Sequence, residues 1–465
     1  MGKVVTLFVK SAVLMRKVSV ILLFAAILSS CSNSGNGELT GVQDRPKFYQ
    51  PDPYGMAFIP LGTYVQGVGE EDVPYSQINN PKRVTVSSFY MDETEITNNE
   101  YRQFVYWVRD SMVRTLLGDI NPEEFLIEEN EATGELYDPP FLNWDTDIDY
   151  QDEEVVQTLE ELYLPENERY FRKKEFDTRK LLYRYYWVDL QSAARKDYSQ
   201  EADATLGGFA NRPQGMDDRS VYVKEETINI YPDTLCWIHD FPYSYNEPLA
   251  QTYFWHPTYD HYPVVGVNWQ QAKAFCVWRS HLFNTYMESE GQPGLTDFRL
   301  PSEAEWEWAA RAGYEANPFP WGGPYSKNEK GCLLANFKPN RGNYVDDGGA
   351  TTLVVGHFES NDFNLYDMSG NVAEWTNSAF DKASQVMSWD LNPGYTYNAK
   401  ADDPVSMKRK VIKGGSWKDI EYYLLVSTRD YEYQDTAKSY IGFRCVMPYL
   451  GRSKDDNPSK ASNVY

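Results

Sequence analysis

The chain has 465 residues, with 68 acidic and 44 basic side chains and a formal net charge of -24. So acidic a chain lacks the basic face that nucleic acid requires, and anionic lipid surfaces repel it. Its aromatic content of 15%, including 36 Tyr and 13 Trp, excludes a disordered or linker-rich chain.

Lys3, Lys10, Arg16 and Lys17 precede the apolar run Val18 to Leu28. That run is shorter than the roughly 20 apolar residues a spanning helix needs, and it fits the apolar region of a signal peptide. It ends in Leu28-Ser29-Ser30-Cys31, the pattern of a bacterial lipobox. Residues 1–30 are therefore expected to be a lipoprotein signal peptide, with Cys31 carrying the lipid; Met15 offers a second start. Residues 31–50 open with a polar, glycine-rich stretch and are expected to be a flexible tether. A globule on such a tether is anchored to a membrane without crossing it.

Met56 to Ile59 reads as a short strand closed by a Pro60/Gly62 turn, and Lys82 to Met91 as one half-buried strand. Thr97 and Glu100 form a capping box, so a helix is predicted there with Tyr101, Phe104, Val105 and Val108 on its apolar face. Between about 110 and 250 the pattern breaks. Residues 121–168 hold seventeen acidic side chains and no Lys or Arg, whereas 169–196 hold nine basic ones. Such blocks form solvated faces, or an assembly device in which one subunit's acidic lobe meets a neighbour's basic lobe. Order returns after Tyr253. Pro263 to Trp269 reads as a buried strand entering a helix capped by Asn268, and Ser302 with Glu305 caps another helix that Gly313 closes. Short elements and many glycines then lead to a polar tail at 451–465. One domain over 51–450, with an insertion at about 110–250, is expected.

Besides Cys31 there are Cys236, Cys276, Cys332 and Cys445, with no zinc-type spacing. His256 and His261 flank Asp260 but have no third ligand at a fixed spacing, so they read as surface or hydrogen-bonding residues. Ser416 has no general base placed beside it by sequence.

Six segments in order resemble the formylglycine-generating (sulfatase-modifying factor) family: Met56 to Gly67, Val84 to Tyr101, Tyr262 to Trp278, Arg299 to Arg311, Leu365 to Trp375, and Lys413 to Trp417 with Gly442 to Cys445. The resemblance implies an α+β fold related to C-type lectins, with little regular secondary structure and a long mixed insertion. It also implies a structural disulfide between Cys276 and Cys445, and calcium sites at Asn371 with Glu374 and at Asn336 with Asp347. Calcium favours such carboxylate and carbonyl oxygens, although Asn, Asp and Gly form turns without any metal. The family's enzymes oxidise a substrate cysteine with two cysteines that bind copper. Here Asp419 to Leu424 occupies that region and holds no cysteine, so no copper and no catalysis are expected.

The lipobox, the insertion, Asp92 to Phe104 and Phe254 to Pro257 give a narrower likeness to lipoproteins of the GldK/PorK type. That likeness implies an outer-membrane lipoprotein facing the periplasm. It would self-associate in a ring with a GldN/PorN-type partner, among other components of the type IX secretion and gliding machinery. The alternatives are an active copper-dependent oxidase and a calcium-dependent glycan or cell-wall binding module.

Overall fold

A computed structural model describes residues 48–67, 81–129, 134, 136–194, 220–243, 248–315, 317–339 and 342–451. The expected signal peptide, Cys31, most of the tether and nearly all of the polar tail lie outside the described residues. The fold is α+β, and from Gln50 onward it packs as one unit.

The opening strand β1 (Met56–Ile59) is followed at once by β2 (Gly62–Gln66), so the Pro60/Gly62 turn links two strands. The expected single strand 82–91 is two strands. β3 (Lys82–Val86) pairs with β2, whereas β4 (Phe89–Asp92) lies between β1 and the C-terminal β13 (Val446–Pro448). The chain changes sheets at Ser87 and Ser88, and an alternating pattern carries no record of which partner each half takes.

Helix α1 (Asn98–Gly118) begins as its capping box requires. The Glu100 carboxylate accepts from Thr97 N at 2.8 Å, and the Thr97 hydroxyl accepts from Glu100 N at 3.3 Å. Tyr101, Phe104, Val105 and Val108 are all buried. Helix α2 (Trp269–Ser289) has the same box from Asn268 and Gln271, and α3 (Glu303–Arg311) from Ser302 and Glu305. The left-handed residue ending α3 is Ala312, one before the expected Gly313, which also has positive φ.

Pro263 to Asn268 is not a strand. Gly266 has φ +74°, and a Cβ there would lie 2.4 Å from the Asp233 carbonyl oxygen, so the backbone bends where a ladder would continue. A four-stranded sheet completes the core, in the order β11 (Asp430–Tyr433), β10 (Arg409–Lys413), β9 (Ala373–Ala379), β12 (Ile441–Gly442). Trp306, Trp308, Tyr64, Phe89 and Met368 pack into the main apolar cluster.

The charge blocks of the insertion meet within the chain. Arg169 and Lys174 bind Glu160, while Arg179 binds Glu168 and Asp177. These three basic residues therefore have acidic partners in cis. The insertion holds the paired strands β5 (Leu126–Glu129) and β6 (Leu136–Leu142), and it is seated on the core by the ribbon of β7 (Leu182–Val188) and β8 (Val223–Asn229). Glu226 joins the parts: it accepts from Tyr185 Oη, from Trp187 Nε1 at 2.8 Å and from Asn398 Nδ2 at 2.9 Å, and lies 3.6 Å from Lys273 on α2.

Beneath this seam Lys410 is fully buried, with its ammonium 3.7 Å from the centroid of the Trp269 ring and donating to the Tyr397 carbonyl. Burial, reinforced by the nearby Lys273 charge, lowers its pKa from 10.5 to about 7. Between those values the unfolded chain holds a proton that the folded chain has released, so this residue makes stability rise with pH. Below about 7 it is charged in both states and its burial penalty is constant. Melting curves of wild type and Lys410→Met should therefore converge as pH rises from 7 toward 10. A pH-independent gap between them would refute this assignment.

Candidate functional site

Strand β10 delivers Lys413 into the turn Gly414-Gly415-Ser416. Gly415 has φ +67°, and a Cβ on it would sit 2.8 Å from the Tyr423 carbonyl, so no other residue allows the chain to fold back so closely. The returning segment is pinned along its length. Ser416 Oγ donates to Asp419 Oδ2 at 2.6 Å, Lys338 N donates to the Asp419 carbonyl at 2.9 Å, and Ser369 Oγ donates to the Leu424 carbonyl at 2.7 Å. Leu424 is fully buried among Phe319, Leu333, Ala335 and Phe337. The result is a cleft lined by Lys413, Gly415, Asp419, Tyr423, Thr428 and Asp430.

Burial pushes the Asp430 carboxyl up to about 6, and the nearby Asp419 charge adds to the effect. Asp419 is raised too, chiefly by burial. Under the cleft lies a charged floor. Lys413, lowered by burial, lies 3.3 Å from Glu307, which also binds Arg311 at 2.8 Å. Glu303 binds Arg429 at 2.5 Å. Ser416 is fully buried with its hydroxyl given to Asp419, so it is not presented as a nucleophile.

Cys276 on α2 and Cys445 beside β13 come together in the core. They are two thiols in contact, Sγ to Sγ 3.4 Å, with Cys445 raised by burial. Cys236 is buried and Cys332 exposed. Asp260 binds Arg102, and His256 Nδ1 accepts from Thr258 N, so neither is arranged as a zinc ligand.

The expected calcium ligands divide. Asn336 and Asn371 are neighbours, with Asn336 Nδ2 3.4 Å from Asn371 Oδ1. Glu374 does not face an ion site with Asn371: its carboxylate accepts from Arg444 at 2.6 Å and from Trp306 Nε1 at 2.7 Å. Asp347 accepts from Phe337 N and Gly349 N, and Asn371 Oδ1 accepts from Leu353 N at 2.8 Å. Calcium takes roughly six to eight oxygens, and these oxygens are already engaged by protein donors. Among the described residues no group of three His, Cys, Asp or Glu side chains could hold a metal. The arrangement is that of satisfied turns and does not fit calcium.

Two segments, residues 43–148 and 239–448, match the sulfatase-modifying factor enzyme 1-like domain. The chain belongs to that family. The stretch between the matched segments contains the β7–β8 ribbon. The inactive C-alpha-formylglycine-generating enzyme 2 of Bos taurus is 32% identical over 191 residues, 40% of this chain and 50% of that protein. The formylglycine-generating enzyme of Mycobacterium tuberculosis is 33% identical over 219 residues, 45% of this chain and 62% of that protein. The chain thus spans about half the length of the curated relatives it matches. Among solved structures, PvdO from Pseudomonas aeruginosa aligns at 17% identity with a TM-score of 0.44, covering 87% of this chain and 99% of that one.

The family's copper chemistry needs a pair of soft thiolates. Between Asp419 and Leu424 the chain offers a carboxylate in the cleft and an apolar side chain in the core. Cys276 and Cys445 do not line the cleft. These residues do not fit copper.

Sequence reasoning missed the buried ionic residues. Arg444 appeared only as part of a motif, although an arginine between Phe443 and Cys445 signals a charge carried into the core. Its guanidinium is fully buried against Glu374 and donates to the carbonyls of Asp92, Glu93 and Tyr366. Lys413, after Val411 and Ile412, carried the same signal. Removing one partner of a buried pair typically costs about 3–5 kcal/mol, because the other charge is left uncompensated. Arg444→Met should lose that much in urea unfolding, and Arg444→Met with Glu374→Leu should recover part of it. A double variant less stable than the single would contradict this account.

Proposed function

We propose that this protein is a non-catalytic member of its family, a lipid-anchored scaffold in place of an oxidase. The observation that carries the reading is the Asp419 to Leu424 segment, which supplies no thiolate to the cleft and sends Leu424 into the core. Among its relatives, the Bos taurus and Mus musculus proteins named as inactive support it. Incubation with copper, oxygen and a cysteine-bearing peptide should yield no aldehyde by mass spectrometry; turnover would overturn the reading.

The narrower proposal is a GldK/PorK-type lipoprotein on the periplasmic face of the outer membrane, held by lipid on Cys31. It assembles as a ring with a GldN/PorN-type partner in type IX secretion. The lipobox, the likeness of Asp92 to Phe104, and an insertion whose middle, residues 149–238, the family match does not cover support it. Mild crosslinking followed by native purification should give large ring-shaped assemblies. A monodisperse monomer with no partner would sink it.

An oxidising envelope would bond Cys276 to Cys445, which already touch. Non-reducing peptide mapping of envelope-derived protein should return the two as one linked peptide, and recovery of both as free thiols would reject the bridge.

A further inference from the structure

A second, small pocket, open to solvent on one side, lies between the end of β2, the first turn of α3, the end of β9 and the segment 384–395. Gln66, Glu303, Ser378, Ser384, Pro393 and Tyr395 are among its lining residues. It is separate from the cleft at Asp419 and has no residue in common with it.

Its charge is matched from within. Glu303 is its one charged lining residue, and Arg429 holds that carboxylate at 2.5 Å. The serines are engaged as well: Ser378 Oγ accepts from Glu303 N at 3.0 Å, and Ser384 Oγ accepts from Arg429 at 3.0 Å and donates to the Asp381 carbonyl at 2.9 Å. Gln66 is not matched in this way. It is 3% exposed, and its Oε1 receives no hydrogen bond from a protein group. It cannot swing away easily, because β2 is paired residue by residue with β3 and Gly67 N is held by Glu307 at 3.0 Å. A buried acceptor left without a donor is costly, and one in a cavity wall points to a ligand that supplies the donor.

A carboxamide presents an acceptor and a donor side by side, and its complement is another amide. The internally neutral wall disfavours an ion, because nothing compensates the charge brought in. At the rim, Tyr395 is 40% exposed and adjoins Pro393, giving an apolar edge on which a sugar ring can rest. We propose that this cavity binds an uncharged acetamido group of the kind carried by N-acetylated hexosamines, with Gln66 as the recognition residue. Binding requires no metal and is independent of the cleft, so it stands whether or not the protein is a secretion scaffold.

Saturation-transfer NMR on the intact protein, with EDTA present, tests this using N-acetylglucosamine, glucose and N-acetylasparagine amide. The acetyl methyl of N-acetylglucosamine should be saturated most strongly and glucose should be silent. Gln66→Met keeps the side-chain length and should weaken binding about tenfold or more, while melting no lower than wild type because an unsatisfied acceptor is gone. Tyr395→Ala, at the rim, should weaken binding too and provides the test if the Gln66 variant misfolds. Equal saturation of glucose, unchanged binding by a folded Gln66→Met, or no saturation by any probe would overturn the proposal. Stronger saturation of N-acetylasparagine amide would overturn the sugar assignment.

Discussion

The buried pair of Arg444 and Glu374 is the constraint on which the rest of the structure depends. Both side chains are essentially without solvent, 2.6 Å apart. Two charges in such a place are tolerated only when every hydrogen-bonding position is satisfied. That requirement recruits distant parts of the chain: Trp306 from α3, the carbonyls of Asp92 and Glu93 at the end of β4, and the Tyr366 carbonyl before β9. Beginning, middle and end of the domain meet at one guanidinium. Close by, Asp92 accepts from Arg279 on α2 and from Cys445 N, which brings Cys445 within reach of Cys276.

The same device recurs under the cleft. Glu307 holds Lys413 and Arg311, and Arg311 reaches the Gly67 carbonyl, so α3, β10 and β2 are clamped together. With so little regular secondary structure, backbone ladders alone do not fix the long loops. Buried ion pairs with geometric demands do. A cleft supported this way keeps its shape without the residues that would perform chemistry in it, because the clamps lie in the floor and the reactive positions lie on the returning turn.

The insertion follows a different logic. Its charges are mostly near the surface, where pairing contributes little, and its seat on the core depends on Glu226, a partly buried carboxylate collecting donors from β7, α2 and the 398 loop. One face of the ribbon, with Tyr183 and Tyr185, is buried, while Leu182, Tyr186 and Val188 remain exposed.

By itself the sequence determined whatever local rules enforce. The three capping boxes start their helices where Thr97, Asn268 and Ser302 stand, because a cap involves residues only three apart. The motif order revealed the family, and the missing cysteines between 419 and 424 were visible as identities. Tertiary structure alone decided the rest. The split at Ser87 and Ser88, the bend at Gly266, the engagement of Glu374 by Arg444 instead of an ion site, and the cis pairing of the charge blocks all depend on residues far away in the chain. Hydrogen bonds and ion pairs go to whichever partner the fold brings close, and the amino-acid order does not state that distance.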